Sequence, residues 1–158
     1  MIVERGHELA NHSYTHINLS GLSIEDVRRE LTRSNDAIDE IAGQLPVFFR
    51  SPFLANGGYI SQVAEELGMS IINADAIGED WNNITPQQIA DNVLRNISEG
   101  SIILLHEQFS LTETRTKEAL PIIFEELANR GYRVVTLSEL VARSGAQLTP
   151  GAVYSRIN

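Results

Sequence analysis

His12 and His16 stand four residues apart in the stretch His12-Ser13-Tyr14-Thr15-His16, a few residues after Gly6-His7 and a short apolar run. That spacing lets two ring nitrogens converge on one divalent cation. Zinc accepts imidazole nitrogen at roughly 2.0–2.1 Å and usually takes three or four ligands, so the pair alone is an incomplete site. Taken in isolation, two loop histidines making ordinary hydrogen bonds would account for the pattern as well. Three further polar groups, Arg50, Asp80 and His106, also lie just beyond apolar, strand-like segments.

The segments that must position these groups alternate between strand-like and helix-like. Residues 7–11 read as a short strand entering the histidine loop. Ser23 opens a helix with Asp26 as its capping partner, and Ile24, Val27, Leu31, Ile38 and Ile41 fall at helical spacing along it. Val47-Phe48-Phe49 reads as a strand ending on Arg50. Residues 51–58 form a loop punctuated by Pro52 and the Gly57-Gly58 pair, and the helix after it stops at Gly68. Residues 69–73 are the next strand, followed by a polar loop with Asp75, Asp80 and Trp81. Thr85-Pro86-Gln87-Gln88 supplies the cap, first-turn proline and capping-box partner of a helix running to about residue 98. Residues 101–105 are a continuous apolar run, the mark of a strand buried on both faces, and they end on His106. A helix over about residues 116–130 places Ala119, Leu120, Ile123, Phe124 and Leu127 on one side, and Gly131 stops it. Residues 132–136 read as a last strand, and Ser138 as the cap of a short final helix. This alternation predicts a parallel α/β sheet wrapped by helices. In such folds chemistry gathers at the carboxyl ends of strands, where His12, Arg50, Asp80 and His106 all fall.

Composition bounds the partners. The 158 residues suit one domain with a substantial core. A net charge of -9 argues against a nucleic-acid backbone as ligand but leaves neutral polymers such as polysaccharides. The absence of cysteine excludes a disulfide framework and a thiolate metal site. No apolar run approaches the length of a membrane span. Residues 1–6 show no basic region followed by the apolar stretch of a secretory signal.

Together these motifs resemble the polysaccharide deacetylases, the carbohydrate esterases that include chitin, peptidoglycan and acetylxylan deacetylases. The run from Gly6 to His16 is similar to the family's metal-binding histidine motif. Arg50-Ser51-Pro52-Phe53 is similar to its Arg-x-Pro-Tyr motif, with Phe in place of Tyr. Asp80-Trp81 matches the end of its Asp-Trp motif, and Ile103-Leu104-Leu105-His106 its Leu-x-Leu-His motif. Residues 131–140 have the character of its last strand and helix. The resemblance runs from about residue 4 to residue 141. It implies a deacetylase-like domain over residues 1–144, a C-terminal tail over 145–158, and a distorted (β/α) barrel. The family's opening strand, with an adjacent aspartate pair that supplies the general base and the third metal ligand, has no counterpart in this sequence. The expectation is therefore an N-terminally incomplete barrel lacking its first strands.

By the same resemblance, the chemistry is metal-dependent hydrolysis of an N- or O-acetyl group on a polysaccharide. His12 and His16 would ligate Zn²⁺, or Co²⁺ or Ni²⁺, with the third protein ligand missing. His106 would be the general acid that protonates the leaving amine or alcohol, a task suited to an imidazole. Asp80 would orient and charge-tune that ring, although the stretch from Asp75 to Asp80 is longer than the family's usual spacing. Arg50 would ordinarily pair with the catalytic aspartate; without that strand the guanidinium is expected to be stranded or solvated, or else to sit in a surface salt bridge. The backbone N–H at Phe53, next to Pro52, would serve the oxyanion. Trp81 and Leu105 would line a pocket for the acetyl methyl or simply pack the core. Tyr14, Phe53 and Tyr59 are candidates to stack on sugar faces. The expected partner is an acetylated polysaccharide or oligosaccharide, with no nucleic acid and no membrane span. A sheet edge opened by the missing strand invites pairing with a second copy. Family habit places such enzymes outside the cell or at its wall. Without the usual base, little turnover is expected, and a non-catalytic carbohydrate- or metal-binding remnant is the competing reading. A two-metal phosphoesterase would need more carboxylates beside the histidines than the sequence offers.

Overall fold

The computed structural model describes residues 2–107 and 113–158. They fall into two compact units: residues 1–73 with 136–154, and residues 74–135 with 155–158.

The first unit is built on helix α1, Ile24–Ala42, and helix α2, Ile60–Glu66, beside a three-stranded parallel sheet. Ser23 caps α1, accepting from the Asp26 N–H while its own hydroxyl donates to the Asp26 carboxylate, as the sequence predicts. The helix ends at Gly43 in the left-handed region, where a glycine pays no Cβ penalty. Strands β1, Phe48–Phe49, and β2, Ser70–Ile72, lie side by side. The third strand, β5, Val153–Tyr154, comes from a segment with no strand signature and pairs with β2. The expected strand over residues 7–11 reduces to one parallel bridge, Asn11 to Phe49, on the outer side of β1. Leu19, Val27, Leu31, Phe49, Ile60, Val63, Met69 and Ile71 form the core. The apolar periodicity of α1 fails at its end: Ile41 is 82% exposed. The buried stripe continues instead through Glu30, Ser34 and Asn35. The final helix, α5, Leu137–Ser144, is capped by Thr136, not by Ser138 as expected, because the Thr136 hydroxyl accepts the Glu139 N–H.

The second unit pairs β3, Ala76–Ile77, with β4, Ile103–Leu104, in parallel. Helix α3, Pro86–Arg95, starts with the predicted proline and a complete Thr85–Gln88 capping box. It packs on β3 and on helix α4, Glu113–Asn129. Ala76, Ile89, Val93, Ala119, Ile123 and Leu127 form its core. Phe124, expected on the apolar side of α4, is 49% exposed. Residues 132–136 join no sheet among the described residues, so the expected strand there does not form. The α/β character is as predicted, but among the described residues each sheet is an open parallel fragment and neither closes into a barrel.

Candidate active site

In the first unit, the histidine loop follows the Asn11 bridge to β1. The His12 Nδ1 lies 2.6 Å from the Arg50 carbonyl oxygen, just beyond β1. A carbonyl only accepts, so Nδ1 carries the proton and the ring lone pair sits on Nε2, the tautomer that ligates metals. His16 meets His12 edge to face, with ring centroids 4.9 Å apart. Phe53 also meets His16 edge to face, with ring centroids 5.2 Å apart. The sequence-predicted pair is thus brought together with Phe53.

The loop holds an uncommon backbone. Ser13 and His16 both take left-handed φ, 61° and 57°, a region that non-glycine residues rarely adopt. Side-chain oxygens accept each N–H from residue 13 to residue 16. Asn11 takes Ser13, the buried Glu30 takes both Tyr14 and Thr15, and Ser13 takes His16. Asn11, itself fully buried, donates to the Leu31 carbonyl and to Asn35. Sequence reasoning passed over Glu30 and Asn11. The signal was available: Val27, Glu30, Leu31, Ser34 and Asn35 occupy one helical stripe, and three polar residues on a core stripe imply buried polar partners.

Arg50 is half-buried and, among the described residues, pairs with no carboxylate, so of the three expectations a surface salt bridge is the one that fails. Its guanidinium donates to the carbonyls of Ile72 and Asn73 at the end of β2, at 3.1 and 3.3 Å. Burial pulls its pKa below the usual arginine value. Phe53 is 68% exposed with φ of 59°, inside a tight turn that follows the buried Pro52. Tyr14 and Tyr59 are also exposed, but the Arg33 guanidinium covers one face of Tyr14 at 3.8 Å.

In the second unit, Asp80 and His106 meet. The Asp80 carboxylate accepts the His106 ring at 2.8 Å, the His106 backbone N–H at 2.7 Å and the Thr116 hydroxyl at 3.0 Å. Asp80 is 1% exposed. Burial pushes its pKa up, but the hydrogen bonds from His106 and Thr116 outweigh that and hold it below the usual carboxylate value. Because the acceptor is a carboxylate, His106 Nδ1 carries a proton and the ring is turned to act through Nε2. Trp81 stands edge-on to the ring, with centroids 5.4 Å apart. Leu105 is half-buried against this unit's core. Thr116 was not anticipated, although it shares the α4 stripe with Ala119, Ile123 and Leu127. Asp75 takes a different part: it accepts the Ile102 N–H, the Ser101 hydroxyl and the Arg156 guanidinium, and so ties the strand beneath His106 to the C-terminal residues.

The donor chemistry at His12 and His16 suits a divalent cation. Among the described residues, no cluster of three metal-ligating side chains includes them.

The family profile described as polysaccharide deacetylase matches residues 1–72. A peptidoglycan-N-acetylmuramic acid deacetylase of Bacillus subtilis, PdaC, is 28% identical over 139 residues, covering 88% of this chain and 28% of that protein. The chain thus spans under a third of that relative's length. Among solved structures, a Bacillus anthracis family 4 pseudoenzyme superposes with a TM-score of 0.81 at 30% identity, over 89% of this chain and 48% of that one. A family 4 acetyl xylan esterase from Clostridium thermocellum, in complex with a cobalt ion, superposes with a TM-score of 0.92 at 31% identity, over 99% of this chain and 75% of that one. With that identity over that share of a family 4 esterase, the chain belongs to the polysaccharide deacetylases.

Proposed function

We propose that this chain acts in metal-dependent deacetylation of an N- or O-acetylated polysaccharide of the peptidoglycan, chitin or xylan class. The buried Asp80–His106 pair is the observation that carries the proposal. Sequestering a carboxylate from water is costly, and this one is directed at an imidazole, a side chain able to pass a proton. His106, oriented by Asp80, delivers a proton from Nε2 to the leaving amine or alcohol. His12 and His16 would hold the divalent cation, Zn²⁺ or in its place Co²⁺ or Ni²⁺. When bound, such a cation polarises the acetyl carbonyl and lowers the pKa of water. The Phe53 N–H serves the oxyanion beside Pro52. Trp81 and Leu105 shape the pocket for the acetyl methyl. Arg50 orients His12 through its carbonyl. Among the described residues no third metal-ligating side chain joins His12 and His16, so we expect slower turnover than in the longer relatives. The distorted barrel, a location outside the cell or at its wall, and pairing of sheet edges between two copies belong to this same reading.

Acetate release from acetylated chitin, peptidoglycan and xylan oligomers, measured with and without added zinc, tests it. Zinc-stimulated release that disappears in His106→Ala is the expected result. No release from any of the three polymers at saturating zinc overturns it. The similarity to a pseudoenzyme and the two-histidine donor set favour a second reading, a non-catalytic carbohydrate- or metal-binding module. Oligomer binding without acetate release is its signature.

A further inference from the structure

We propose that Glu30 is the positioning residue of the histidine loop, setting the backbone from which His12 and His16 address a shared divalent cation. The inference rests on the deacetylase reading above and extends it to a residue outside the motifs. Glu30 lies on α1, 8% exposed, and its Oε2 accepts the Tyr14 N–H at 3.1 Å and the Thr15 N–H at 2.8 Å. No cationic side chain pairs with it among the described residues. A buried carboxylate balanced only by two peptide N–H groups is an expensive way to satisfy a turn, since an amide or hydroxyl would accept them without burying a charge.

The loop explains the choice. Ser13 and His16 are held at left-handed φ, and strain of this kind persists only where the surroundings over-determine it. Two of the four N–H groups between residues 13 and 16 end on Glu30, and both lie between the strained residues. The peptides that join Ser13 to Tyr14 and Tyr14 to Thr15 therefore have their orientation fixed from α1, while the N–H of the next peptide, that of His16, ends on the Ser13 hydroxyl. The His12 ring is fixed separately, by the Arg50 carbonyl. Glu30 thus fixes the two peptides that lead from Ser13 towards His16, the part of the loop that the Arg50 contact to His12 does not reach. Supporting groups of this type commonly change metal affinity by roughly 10–100-fold when removed.

The test uses the full chain, Zn²⁺ alone as probe, and two variants. Glu30→Leu removes the acceptor but keeps an apolar side chain of similar size, a replacement that buried charges often tolerate. Glu30→Gln keeps one acceptor oxygen. Zinc affinity is read by competition with a chromophoric chelator, the melting temperature is read without metal, and amide exchange at Tyr14 and Thr15 is read by NMR. The expected result is a loss of roughly tenfold or more in zinc affinity for Glu30→Leu, faster exchange at both amides, and substantial recovery of both in Glu30→Gln. Wild-type affinity in a folded Glu30→Leu overturns the positioning role and leaves the deacetylase reading intact. Absence of zinc binding by the wild type overturns both. Should Glu30→Leu not fold, Glu30→Gln decides. Wild-type protection at Tyr14 and Thr15 with retained zinc binding upholds the acceptor role, and lost protection or zinc binding overturns it.

Discussion

Asp80 concentrates the electrostatics of the second unit. Its carboxylate is buried, yet three donors hold its pKa below the ordinary value. A carboxyl whose folded pKa is depressed contributes stability that is fully present above its unfolded pKa and is lost as pH falls through the folded one. Urea midpoints measured between about pH 5 and about pH 2 should therefore fall with acid. Asp80→Asn should flatten that acid limb, because the amide has no proton to take up. The same variant should cost about 1–3 kcal/mol at neutral pH, since an amide cannot match the carboxylate as acceptor for both the His106 ring and Thr116. An acid limb identical in the variant would show that other carboxyls carry the dependence. At this scale the structure sets His12 edge-on to His16 and directs Asp80 at His106. Arg50 shows the limit. A sequence can name a guanidinium, but not the two backbone carbonyls that receive it.

Helix starts were the most legible elements, because a cap is a local arrangement of three or four residues. Ser23 with Asp26, and Thr85 with Pro86 and Gln88, form as read. Thr85→Ala should lower stability by about 1 kcal/mol in chemical denaturation, with Thr85→Ser close to wild type. A loss below a few tenths of a kcal/mol would mean that the Gln88 side chain compensates. Strands were less legible. Residues 132–136 have the β-branched composition of a strand and join no ladder, whereas Val153–Tyr154 carries no pattern and pairs with β2. A two-residue strand is set by which edge is available, and that information is not local. On α1, the loop bearing His12 and His16 claims the helix face at Glu30 and Asn35, so apolar periodicity alone misassigns the buried side.

At the scale of the whole chain, the last residues matter more than their composition suggests. Ile157 is 2% exposed, and its N–H donates to the Gly100 carbonyl. A Cβ at Gly100, where φ is 77°, would fall 1.9 Å from the Ile157 carbonyl oxygen. Arg156 reaches Asp75 at 2.6 Å. Ile157→Ala should therefore cost about 2–5 kcal/mol, read as a lower denaturation midpoint; a change under about 0.5 kcal/mol would mean that these residues are dispensable for the fold. The sequence by itself determined the order of the helices, two of their caps and the family, because motif spacing and capping are short-range. Only the tertiary structure decided which side chains support them: Glu30 and Asn11 under the histidine loop, Thr116 on Asp80, and the C-terminal segment on Asp75. Glu30, Thr116 and Arg156 lie 15, 36 and 81 residues in sequence from the groups they meet. Buried polar groups must find one another through space, and no local pattern records which of them will meet.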